Sequence, residues 1–123
     1  MDKVGRQSSE RAASWSDLQG RRVLITGAAG SVGRALCDHI AANGCAALGL
    51  LDHFDHGLLE AVESVERTNP GLEAAEILCD VRDRDRLVQK LKRFKPDVVI
   101  HCAALKHVHM GERHPGECVL TNL

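Results

Sequence analysis

Neither sign of charge dominates this sequence: 16 lysines and arginines stand against 17 aspartates and glutamates in 123 residues, a formal net charge of -1. Without a field of one sign, nothing draws the chain to nucleic acid or to an anionic membrane surface. Also lacking is any run approaching the ~18 apolar residues that a membrane span needs. The opening MDKVGRQSSERAASW has no apolar stretch of the kind a signal peptide carries. These absences point to a cytoplasmic protein. No CxxC pair occurs among Cys37, Cys45, Cys79, Cys102 and Cys118, and three of them lie within or beside apolar runs. They read as small buried hydrophobes in a reducing compartment, not as a disulfide frame, and no metal site is expected. Tyrosine is absent altogether.

What is present is an alternation of short apolar runs with helical periodicity. Residues 1–20 carry no sustained pattern and read as a flexible lead-in, with a short helical turn at Trp15 to Leu18. Val23 to Thr26 predicts a strand, and Val32, Ala35, Leu36 and Ile40 predict a helix stopped by Asn43 and Gly44. A second strand is expected at Ala46 to Leu51 and a helix on Leu58, Leu59, Val62 and Val65, broken at Asn69, Pro70 and Gly71. A third strand is expected at Ile77 to Cys79, then a helix capped by Asp83, then a fourth strand from Val98. This is an α/β pattern: a Rossmann-like doubly wound parallel sheet, truncated after about four strands, over residues 21–123. The expected order is 3-2-1-4, which leaves the fourth strand as an edge with a helix to follow.

The stretch LITGAAGSVG sets Gly27, Gly30 and Gly33 three apart between the first strand and the first helix. In that context Gly27 permits the tight bend, Gly30 lets backbone approach a pyrophosphate, and Gly33 lets the helix pack closely. The N-H groups of the first helical turn, at Ser31 and Val32, carry a partial positive charge suited to phosphate. An acid is then required at the end of the second strand to accept from the adenosine ribose. Asp52 stands 19 residues after Gly33, followed by His53. A carboxylate there repels a 2′-phosphate, and residues 53–66 contain no lysine or arginine to hold one, so NAD is expected over NADP. Another adenosine ligand such as S-adenosylmethionine stays open as an alternative occupant of the bend.

Four stretches, GRRVLITGAAGSVGRALCDHIA, LGLLDH, ILCDVRDRDRL and PDVVIHCAALKHVHMGERHPGECVLTN, resemble the extended short-chain dehydrogenase/reductases. Within them the likeness is to the CapD-like polysaccharide biosynthesis branch, the UDP-N-acetylglucosamine 4,6-dehydratases. The last stretch matches the pattern HAAAxKHVPxxExNPxExxxTN at eleven positions from His101 to Asn122. The resemblance implies that Asp80 and Val81 contact the adenine, that Ala103 and Ala104 pass beneath the nicotinamide ribose, and that Lys106 and His107 face a sugar-nucleotide pocket. It implies a UDP-N-acetylhexosamine substrate, a homo-oligomer, and a membrane association only through a segment outside this chain. His109 replaces the family's Pro, His114 its Asn, and Phe54-Asp55 its Ser-Glu. The family's base, Tyr or Met four residues before a Lys, has no counterpart: there is no Tyr, and Met110 is followed at that spacing by His114. No catalytic residue is therefore assigned, and the chain is expected to be inactive alone. The alternative is a non-catalytic dinucleotide-binding module or remnant that completes its sheet with a partner.

Overall fold

The computed structural model describes residues 15–104 and 116–122. A 3-10 turn at Trp15–Leu18 leads into β1 (Arg22–Thr26), α1 (Ser31–Asn43), β2 (Ala47–Asp52), α2 (Asp55–Thr68), β3 (Glu73–Leu78), α3 (Arg84–Phe94), β4 (Val98–Ala104) and β5 (Gly116–Asn122). The strands form one sheet in the order β3-β2-β1-β4-β5. β1 to β4 run parallel, with Val23 facing Leu48 on one side and Val98 on the other. This is the expected Rossmann-like architecture.

The sheet is coated on both faces because its central strands are apolar throughout. Val23, Ile25, Leu48, Leu50, Val98 and Ile100 form one core with the buried stripes of α1 and α2. Those stripes are Cys37, Ile40 and Ala41 on α1 and Leu58, Ala61, Val62 and Val65 on α2, at the three- and four-residue spacing of a helix face. Leu24, Ala47, Leu51, Ile77 and Phe94 form a second core on the opposite face, beneath α3. Each such side chain contributes about 1.5–3 kcal/mol by leaving water.

Helix ends follow the sequence. Asp83 caps α3 by accepting from the Arg86 N-H at 3.3 Å, and Gly44 closes α1 by donating to Ile40 O. Arg22 fastens the start of β1. Its guanidinium lies 4.6 Å from the Phe94 ring centroid, and its backbone N-H donates to Asp97 Oδ2 at 2.8 Å.

Three expectations are corrected. β3 begins at Glu73, not near Ile77, because Glu73 and Glu76 sit on an exposed edge where a strand needs no continuous apolar run. A fifth strand was not expected: Gly116–Asn122 pairs antiparallel with all seven residues of β4. β4 is thus an inner strand, its backbone groups satisfied within the chain rather than left for a partner. Finally, Cys102 is disulfide-bonded. No helix of the described residues is long and apolar enough to cross a membrane.

Candidate functional site

Parallel strands end on one edge of a sheet. Here the chain steps from β1 outward to β2 and β3, then returns to the far side of β1 as β4, so a crevice opens above β1 where the order reverses. The glycine bend sits at that point.

Two of its glycines are demanded by the protein itself. Gly27 has φ +74°, and a Cβ on it would stand 2.0 Å from Cys102 O. A Cβ on Gly33 would stand 2.0 Å from Gly27 O, so the close approach it permits is of α1 to the bend rather than to a strand. Gly30 differs. Its φ of -80° and ψ of 169° suit any residue, and a Cβ there would meet only Gly27 O, at an ordinary 3.6 Å. Among the described residues nothing requires glycine at this position.

The backbone donors of the bend divide just as sharply. Gly27 and Ala28 both donate to Leu51 O, at 2.9 and 3.1 Å, and Gly30 donates to Gly27 O at 3.2 Å. Ala29 donates to the Asp52 carboxylate, Oδ2, at 2.8 Å. The first intrahelical bond of α1 runs from Arg34 N to Gly30 O. That leaves the N-H groups of Ser31, Val32 and Gly33 with no partner among the described residues, since Gly30 is the N-cap and has no side chain to offer. The first turn contains no acid. Three orphan donors and the positive end of a helix dipole therefore lie beside the gap at Gly30.

Asp52 closes β2. Its Oδ1 accepts from His53 N at 2.7 Å and Phe54 N at 3.2 Å, and its side chain is only 11 % exposed. The exposed His53 imidazole lies 3.4 Å from the same oxygen. Phe54, 59 % exposed, lays its ring where a Cβ on Gly57 would come within 2.8 Å of it. β3 ends alongside, with Cys79 N donating to Asp52 O at 2.9 Å. Beyond it, Arg82 grips Asp80 with Nε at 3.1 Å, Nη2 at 2.8 Å and its own backbone N at 2.9 Å. Those side-chain and backbone hydrogen bonds hold the Asp80 carboxyl well below the usual carboxylate range.

The residues expected at a dinucleotide site, Gly27, Gly30, Ser31, Val32, Gly33, Asp52, His53, Asp80, Val81, Ala103 and Ala104, thus belong to the strand ends, the loops and the first turn of α1 along one edge of the sheet. Lys106 and His107 lie outside the described residues. Sequence reasoning missed the Ala29 N-H bond to Asp52. It also missed the contact of Thr26 Oγ1 with His101 Nδ1 at 2.5 Å, which serves a buried hydroxyl beside the bend. Both arise from residues brought together by strand pairing, and only the parallel register of Thr26 with His101 reveals the second. Thiol chemistry is not offered here: burial, reinforced by Asp38, pushes the Cys37 thiol up to about 12, and burial also raises Cys45 and Cys79. Among the described residues no cluster of His, Cys, Asp and Glu is placed to hold a metal.

Residues 23–123 match the family of polysaccharide biosynthesis proteins. The chain belongs to that family. It is 34% identical over 107 residues to the probable polysaccharide biosynthesis protein EpsC of Bacillus subtilis, covering 86% of this chain and 18% of that protein. To the UDP-N-acetylglucosamine 4,6-dehydratase (inverting) of Campylobacter jejuni it is 32% identical over 106 residues, covering 86% of this chain and 30% of the relative. A solved UDP-glucose 4-epimerase from Stenotrophomonas maltophila, with bound NAD and formylated UDP-arabinopyranose, superposes with a TM-score of 0.62 at 30% identity, over 73% of this chain and 26% of that one. The Rossmann-like fold is shared with solved short-chain dehydrogenase/reductases, among them one from Mycobacterium marinum at 26% identity and a TM-score of 0.57 over 68% of this chain and 34% of that one. The chain spans roughly a fifth to a third of the length of these curated relatives.

Proposed function

We propose that this chain is the cofactor-holding N-terminal part of a nucleotide-sugar 4,6-dehydratase or epimerase of polysaccharide biosynthesis, with NAD as its cofactor. The observation that carries the reading is the set of three unpaired N-H groups at Ser31, Val32 and Gly33 beside a Gly30 that the protein itself does not need. A pyrophosphate fits that place: it supplies the missing acceptors, it is stabilised by the helix dipole, and it occupies the room a side chain would fill.

The remaining residues extend the fit toward an adenosine. Asp52 offers an acceptor to the ribose, with His53 at its rim. Asp80 and Val81 stand at the end of β3, where an adenine would lie, and Ala103 and Ala104 end β4 on the nicotinamide side. NAD is preferred over NADP because a 2′-phosphate would meet the Asp52 carboxylate, while Arg34 is paired with Glu60 at 3.5 Å and Arg82 with Asp80. Bound nicotinamide supplies hydride acceptance from the sugar C4 and its return. This chain's own part is to bind and orient the dinucleotide. With no tyrosine and no Met-x-x-x-Lys it has no base of the kind the family uses at C4, so it is inactive alone. The substrate is a UDP-N-acetylhexosamine approached by Lys106 and His107, in the cytoplasm, with residues 21–123 as the folded unit and residues 1–20 as its lead-in.

Titration calorimetry of the purified chain with NAD and NADP tests this. NAD binding at least tenfold tighter than NADP is expected, with no 4-keto sugar formed from UDP-N-acetylglucosamine. Absence of NAD binding contradicts the proposal.

A further inference from the structure

The expected duty of Asp52 is to receive ribose hydroxyls, yet in the ligand-free protein most of its acceptor capacity is already in use. A carboxylate has about four lone-pair positions. Three are filled by backbone N-H groups: Ala29 on Oδ2 at 2.8 Å, and His53 and Phe54 on Oδ1 at 2.7 and 3.2 Å. The Ala29 bond reaches 23 residues along the chain, from the end of β2 into the middle of the glycine bend. With Leu51 O taking the N-H groups of Gly27 and Ala28, the last two residues of β2 hold three consecutive donors of the bend.

We propose that Asp52 is the positioning residue of the phosphate-binding bend. This rests on the dinucleotide reading above. One consequence follows from the geometry. Ala29 immediately precedes Gly30, so the bond to Asp52 fixes the segment from which the orphan donors of Ser31, Val32 and Gly33 project. Loss of the carboxylate therefore weakens pyrophosphate binding even for a ligand with no ribose hydroxyl to offer. The carboxylate is nearly buried and keeps one acceptor position, on Oδ2, enough for a single ribose hydroxyl.

The test compares the full chain with Asp52→Ala and Asp52→Asn. Amide hydrogen exchange without ligand is read by NMR. Charge-assisted hydrogen bonds are strong, so exchange at Ala29 should rise at least tenfold in Asp52→Ala and by less in Asp52→Asn, which keeps one acceptor oxygen. Amides of Ile25 and Leu50 should change less than threefold. Unchanged exchange at Ala29 in every folded variant overturns the assignment. Calorimetry with ADP and 2′,3′-dideoxy-ADP supplies the second arm: Asp52→Ala should weaken both about tenfold, whereas a loss confined to ADP means that Asp52 acts only through the ribose and overturns the positioning role. If the unaltered chain binds neither ADP nor NAD, the dinucleotide reading fails, while the exchange at Ala29 still decides what Asp52 does.

Discussion

The two ends of the candidate site are built on opposite plans. At the bend every backbone donor from Gly27 to Gly30 is tied to β2 or to the bend itself, and Gly27 and Gly33 leave no room for a methyl group. Beyond the ends of β2 and β3 the groups are exposed. Phe54, after β2, is 59 % exposed, the Arg82 side chain, after β3, is 83 % exposed, and among the described residues the Asp80 carboxylate is held by that arginine two residues away. The proposed phosphate end is thus backbone whose shape the fold dictates. The proposed adenine end, beyond the pinned Asp52, is made of surface side chains free to adjust, and single substitutions there act weakly.

Gly27→Ala attacks the rigid end most severely. It forces a side chain into a left-handed backbone and onto Cys102 O, so a loss of about 3 kcal/mol is expected in urea denaturation. Gly33→Ala meets Gly27 O just as closely, but alanine regains helix propensity, so the net loss is about 1–2 kcal/mol. Equal stability of either variant with the parent would break the contrast. Arg82→Ala probes the adjustable end. NAD affinity should change less than threefold, and the Asp80 carboxyl should move up toward its ordinary range in an NMR titration. The sign follows from the depressed carboxyl: the stabilisation that the pair provides is present at neutral pH and is lost as pH falls through the folded-state value. A tenfold loss of NAD affinity in Arg82→Ala would show that this end is as constrained as the bend.

The same contrast explains what could be read from the sequence. The bend was legible because glycines three apart between an apolar run and a helical pattern correspond to local backbone demands, and Asp52 because it closes an apolar strand. The three helices were legible from their stripes, and the cap of α3 from Asp83 and the turn that follows. The start of β3 was not, since an edge strand bearing Glu73 and Glu76 hides the alternation. Nor was β5, which exists through pairing with β4, nor the bonded state of Cys102. Asp52 was expected at the ribose, and its bond to Ala29 was missed because that bond joins two elements whose approach is set by the parallel register of β1 and β2.

Gly30→Ser tests the central claim most directly. The backbone there is extended, as an N-cap residue requires, and a Cβ fits, so the serine hydroxyl can accept from the Val32 or Gly33 N-H and satisfy a donor that now has no partner. If those donors exist for a pyrophosphate, stability and binding must move in opposite directions. The account predicts that Gly30→Ser is at least as stable as the parent in thermal unfolding and binds NAD about tenfold more weakly. NAD affinity unchanged in a stably folded Gly30→Ser would contradict it.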